Sequence, residues 1–157
     1  MNIGCHASPA HGHTWRAKQV VVQAALGDVL TAGTNLVEAA EHAHQLGADT
    51  IAFALLHSAG LAGQAQAAIE AIEAMGIEPE GPSGRARLLE LQARATADPE
   101  LMLEAAEAFD DIGARVMAAR TFGVAADLLA PIDADRAAEA RARAAELATV
   151  DGVRLSV

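Results

Sequence analysis

One helical hairpin is written twice in this sequence. The segment VEAAEHAHQLGA at 37–48 aligns without a gap on LEAAEAFDDIGA at 103–114, an offset of 66 residues. Six of the twelve positions are identical, and Gly47 falls on Gly113. Each copy has apolar residues at helical spacing followed by a glycine, and glycine fits the left-handed position that ends a helix. The second copy continues as a longer unit, Leu103 to Leu129, which predicts a helix, a turn at Gly113 and a second helix. Asp98 and Pro99 open the unit. The aspartate can accept backbone N–H bonds at the N-cap, and proline suits the next position because its missing donor would be unpaired anyway. Met102, Ala105, Phe109 and Ile112 then share one face, and Glu100, Glu104, Glu107 and Asp111 share another. In the second helix Met117, Thr121, Val124 and Leu128 form the expected apolar stripe, widened by Phe122 and Leu129. Gly123 lies mid-helix, where glycine costs about 1 kcal/mol relative to alanine. Close approach by a neighbouring helix would account for it.

The remaining chain extends the pattern. Residues 1–13 lack periodicity and read as a flexible tail. Helices are expected from Thr14 to Leu26, from Asp28 to Leu46, from Asp49 to Ala59 and from Gly63 to Met75. GIEPEGPSG, residues 76–84, is a Gly/Pro break, and that composition predicts no regular structure there. Helices from Gly84 to Ala97 and from Asp133 to Ala148 complete about eight, and 151–157 reads as a short C-terminal tail. In the last helix Glu139 and Arg143 are spaced for an i,i+4 pair. Alternate helices begin near 14, 48, 83 and 114, a period close to that of tetratricopeptide (TPR) hairpins. The TPR signature of Trp, Tyr and Pro positions is absent. The expected fold is therefore all-α, with degenerate TPR-like antiparallel hairpins stacked as a right-handed superhelix over a single domain, 14–150. An Ala-rich bundle of eight helices would fit the same composition.

Bulk properties narrow the function. The chain is 52% hydrophobic but only 3% aromatic, which favours closely packed helices over sheet. Its net charge is −10, with two basic residues against eight acidic ones in 1–80 and nine against thirteen in 81–157. Neither half makes the positive field that nucleic-acid binding needs. Cys5 is the only cysteine, so an intrachain disulfide is excluded. With neither a signal peptide nor a long apolar run visible, the expected location is the cytoplasm and no membrane partner is expected.

Groups with chemical potential are scattered. Cys5, His6, His11 and His13 are metal-ligating types, yet their spacing matches no structural zinc pattern. Glu41 and His44 form one E-x-x-H on a helix, whereas di-iron bundles need two such motifs and two further glutamates. His42 and His44 point about 200° apart on a helix. His57 is expected as a hydrogen-bonded core histidine. The Glu100–Glu104–Glu107–Asp111 stripe reads as a solvated face, or else as a dock for a basic partner. Ser8, Ser58, Ser83 and Ser156 lack a nucleophile-elbow context, and Lys18, the only lysine, lies in no P-loop. No catalytic, cofactor-binding or metal residue is assigned, no cofactor is expected, and the expected class is non-enzymatic.

The segment EGPSGRARLLELQARATADPELMLEAAEAFDDIGARVMAARTFGVAADLL resembles the helical region of large actinobacterial LuxR-type, MalT-like ATP-binding transcriptional regulators. In that region an E-G-P turn precedes an Ala/Arg-rich helix, a helix of the form LEAAEAFEALGA, and one of the form LLAAEAAAEAA. An Arg/Ala-rich helix then leads to a short linker. The matching pieces here are Glu80–Pro82, Gly84–Ala97, Leu103–Ala114, Arg115–Ala126 and Arg136–Arg154, and ALLHSAGLAGQA at 54–65 is similar to the family's A-L-H-D-L-A-R-L-G segment. The resemblance spans roughly 14–154. It implies a module that senses a ligand or partner and passes its state to an ATPase and a DNA-binding helix-turn-helix, neither of which this sequence contains. The sequence stops about where the family's linker would begin, as either a fragment or a short protein would. The expected function is a helical interaction or sensing module in transcriptional regulation, with the concave face of the array as binding surface. The alternative is a stand-alone helical protein that binds a small apolar ligand or forms a homo-oligomer.

Overall fold

A computed structural model describes residues 29–150 and 153–154, so the expected tail at 1–13 and helix at 14–26 lie outside the described residues. The described chain is helical: α1 (Val29–Gln45), α2 (Asp49–Ala59), α3 (Ala65–Met75), α4 (Gly81–Thr96), α5 (Pro99–Asp111), α6 (Arg115–Leu129) and α7 (Ala134–Leu147). A kinked segment, Gly60–Gln64, joins α2 to α3 without a loop. Because α2 and α3 run on through this kink, the described residues hold six helical runs, where seven of the about eight expected helices fall within them. Within the kink Gly63 takes φ +89°, which ends one helix and lets the next begin at Ala65. After α7 a two-residue antiparallel pairing, Thr149 with Arg154 and Val150 with Val153, takes up part of the expected C-terminal tail.

Contacts divide the chain into two compact units, 1–78 and 79–157, and the division falls inside the Gly/Pro break. That break is shorter than its composition implies. Helix α4 already includes Gly81–Gly84, because a proline at the start of a helix lacks only a donor that would have no partner there. At Gly84 the turn folds back closely onto the helix: a Cβ there would sit 3.0 Å from the carbonyl carbon and the Cβ of Pro79, a tight approach that glycine avoids.

The doubled sequence is a doubled structure. Helix α1 ends at Gln45 and α5 at Asp111, and α2 starts at Asp49 and α6 at Arg115, each pair separated by the offset of the sequence repeat. Gly47 and Gly113 take φ of +73° and +74°. In the first turn the Gly47 amide donates to the His44 carbonyl (2.8 Å) and the Ala48 amide to the Ala43 carbonyl (3.0 Å). In the second, Gly113 donates to Asp110 (2.8 Å) and Ala114 to Phe109 (2.9 Å). Both are Schellman caps, which satisfy carbonyls that the helix end would otherwise leave bare.

In the first unit Leu36, Ala39, Ala40, Ala43, Phe53, Leu55, Leu56, Ala68 and Ile72 are buried. In the second, Ala86, Ala106, Phe109, Ala118, Ala119, Phe122, Ala126, Ala140 and Leu147 form one cluster across α4 to α7. Met102, Ala93 and Ala125 form a smaller cluster beside it. Two expectations change here. Ile112 is exposed because it is the C-cap residue of α5, where the chain has already left the helical path. Ile51, in the first turn of α2, is exposed as well. In α6 the buried face is Ala118, Ala119, Thr121, Phe122, Ala125, Ala126 and Leu129, while Met117, Val124 and Leu128 are only partly buried. Four alanines, with Thr121, Phe122 and Leu129, make the side that neighbouring helices approach.

Candidate functional site

The expected caps hold. Asp98 accepts from the Glu100 amide at 2.8 Å and the Leu101 amide at 3.2 Å, and Asp133 accepts from the Arg136 amide at 3.1 Å. Both aspartates therefore serve helix starts. The carboxylate stripe on α5 is exposed at all four positions. One of its members, Glu100, accepts two bonds from the Arg136 guanidinium of α7, at 2.6 and 2.8 Å. The hydrogen bond from Arg136 lowers the Glu100 pKa below its ordinary value, and the same bond raises that of Arg136. Arg143 pairs with Glu146 at 2.6 Å and with Asp110 of α5, not with Glu139 as its spacing implied, and these two carboxylates raise its pKa.

The histidines do not converge. His44 Nδ1 lies 2.7 Å from Asp49 Oδ1, across the turn between α1 and α2, so the E-x-x-H histidine pairs away from Glu41. His42 is exposed and His57 is buried. Among the described residues no three His, Cys, Asp or Glu side chains group as a metal site. Cys5, His6, His11 and His13 lie outside the described residues.

One polar centre was not singled out from the sequence. Glu90 on α4 is fully buried. Arg94, one turn on, donates to its Oε1 from Nε (3.1 Å) and Nη2 (2.9 Å). Arg120 of α6 donates from Nη2 to both oxygens, at 3.0 and 2.9 Å. The i,i+4 spacing of Glu90 and Arg94 was available as a signal, but Arg120 is 30 residues away and only the fold brings it in. The Nε atoms of Arg87 and Arg120 are buried without an acceptor among the described residues. A buried carboxylate held by two guanidiniums ties α4 to α6, as Glu100–Arg136 and Asp110–Arg143 tie α5 to α7. The arrangement braces alternate helices, and the buried oxygens are out of reach of a substrate.

Two surface clefts lie within the second unit. One of about 470 Å³ runs between α6 and α7 and is lined by Ala119, Arg120, Gly123, Val124, Asp127, Arg141, Ala144, Ala145 and Ala148. The other, about 460 Å³, is walled by the ion-paired Asp110, Arg136 and Arg143 together with Leu103, Glu107, Phe122, Glu139 and Ala140. Gly123 does not have the close helical neighbour expected for it. A Cβ there would meet nothing within 4 Å, and the residue lies in the open cleft.

No helix among the described residues is long and apolar enough to cross a membrane. Comparison with known protein families, curated proteins and solved structures finds no match.

Proposed function

We propose that this chain is a non-catalytic helical repeat module for protein–protein interaction or signal sensing in transcriptional regulation. The observation that carries the reading is the reused hairpin, with identical helix ends and cap bonds at an offset of 66 residues. A chain that repeats one supersecondary unit builds surface by stacking, and stacked helical hairpins serve as binding scaffolds. The ion pairs between alternate helices support a TPR-like arrangement, since in such a stack each helix lies beside the second one along. The regulatory context rests on the E-G-P segment and the LEAAEAFDDIGA hairpin that resemble the LuxR-type regulators.

The test is an in-cell crosslinking experiment with a photoreactive residue at Val116 or Ile132, both exposed apolar positions. Crosslinks to a DNA-binding or ATP-binding regulator, or to such a domain encoded in the same reading frame, are expected. Crosslinks only to enzymes of unrelated metabolism, or none at either position, would refute the regulatory reading.

A further inference from the structure

Most side-chain hydroxyls among the described residues are spent on the backbone. Ser58, Thr96, Thr121 and Thr149 each donate to the carbonyl four residues back, at 2.8 to 3.0 Å. For Ser83 that position is Pro79, which lies before α4 begins, and its exposed hydroxyl makes no hydrogen bond among the described residues. The start of α4 lacks acceptors as well. Asp98 and Asp133 cap α5 and α7, whereas the Glu80 side chain at the N-cap of α4 accepts no bond, and the first turn holds no acidic residue. Its first amides are therefore left without a side-chain acceptor. One turn on, Arg87 is short of a partner too. Its Nε is buried without an acceptor, and its guanidinium makes no ion pair among the described residues. Positions 83 and 87 share a helix face, and helical side chains lean toward the N-terminus, so Arg87 leans over the turn that holds Ser83.

Unused donors on both sides of an exposed hydroxyl suit an anion carried by that hydroxyl. We propose that Ser83 is a phosphorylation site whose phosphate is held by Arg87 and the first-turn amides of α4. A serine kinase supplies the group from a nucleoside triphosphate. The Ser83 oxygen bonds to the γ-phosphorus, the bond from that phosphorus to the leaving nucleoside diphosphate breaks, and the hydroxyl proton passes to the kinase's base. Gly81, Pro82 and Ser83 are all exposed, and the S-G-R-A-R run offers two arginines to an acidic kinase groove. Thr50, the other described hydroxyl without a bond, has no arginine or lysine within ten residues. The added charge is about −1.5 to −2. Glu78 and Glu80 repel it and Arg85 and Arg87 attract it, two against two. The helix N-terminus, which favours anions, then decides the sign. Phosphorylation would fix the first turn of α4, beside the division between the two units. The proposal is independent of the interaction-module reading and adds a means of regulation.

Two measurements on the full chain test the proposal. In the first, phosphoserine is inserted at position 83 during translation, and thermal melts are compared with the unmodified chain, with and without Arg87→Gln. The phosphorylated chain should melt about 2–4 °C higher, and Arg87→Gln should remove most of that gain. A phosphorylated chain that melts no higher, or a gain that survives Arg87→Gln, would overturn the phosphate-holding role. In the second, the chain is purified from the cells that produce it and its phosphopeptides are mapped by mass spectrometry. Phosphate on Ser83, and its loss in Ser83→Ala at unchanged helix content by circular dichroism, is expected. A chain with no phosphate at Ser83 in growing, starved or stressed cells would overturn the assignment of the site.

Discussion

Glu90 is the side chain with the most to lose. Breaking a buried ion pair from one side leaves an uncompensated charge and costs about 3–5 kcal/mol. Glu90→Ala should therefore lower the urea midpoint far more than Arg94→Ala, whose side chain is partly exposed. Glu90→Leu combined with Arg120→Leu should recover much of the loss, because replacing both charges by apolar groups removes their desolvation penalty. Ala97 offers a change of opposite sign. It takes φ +52°, the only positive φ outside glycine among the described residues, at the cap of α4. A left-handed alanine costs about 1–2 kcal/mol, partly offset in glycine by its greater unfolded-state freedom. Ala97→Gly should raise thermal stability, and Gly113→Ala should lower it. None of the Glu90–Arg120 geometry was legible beforehand. Its partners are far apart in sequence, and a glutamate in an Arg-rich helix reads as solvated until the fold closes over it.

The signals for helix starts and ends were strong. Asp98–Pro99, Asp133, Gly47 and Gly113 mark boundaries by the backbone groups they satisfy or the dihedral they permit, so these edges could be read directly. Asp98→Ala should cost about 1 kcal/mol, measurable by urea denaturation. Helix faces were harder. The expected α6 stripe runs through Met117, Thr121, Val124 and Leu128, widened by Phe122 and Leu129. Thr121, Phe122 and Leu129 are buried, but the other buried positions are Ala118, Ala119, Ala125 and Ala126, which a search for large side chains passes over. The exposed Glu100–Arg136 bridge between α5 and α7 has a defined pH signature. Because the Glu100 pKa is lowered on folding, its contribution is present above the ordinary glutamate value of about 4.3 and is lost as pH falls through the lowered value. Thermal melts between about pH 6 and pH 3 should show a shallower loss of stability for Glu100→Gln than for the wild type.

At the scale of the whole molecule, two units each carry a copy of one hairpin, and their cores fill the same places differently. Ala43 corresponds to Phe109, and Phe53 to Ala119, both at the offset of 66, and all four are buried. Bulk has changed sides: the first hairpin puts its phenylalanine on the second helix, and the second hairpin puts one on the first. The repeat was legible through its shared small residues and glycine, and this exchange was hidden because it lies at positions that do not match. The exchange is also what two copies of one hairpin would show if total core volume, rather than each side chain, is held constant.

That equivalence can be measured by a double-mutant cycle in the first hairpin. Phe53→Ala alone should cost about 3–5 kcal/mol by opening a cavity. Ala43→Phe alone should cost about 1–3 kcal/mol by overpacking. The double variant reproduces the arrangement of the second hairpin, and denaturant unfolding should find it more stable than Phe53→Ala alone, with a coupling of about 1 kcal/mol or more. Additive or worse losses would contradict the claim that residues 37–48 and 103–114 begin two copies of one structural unit.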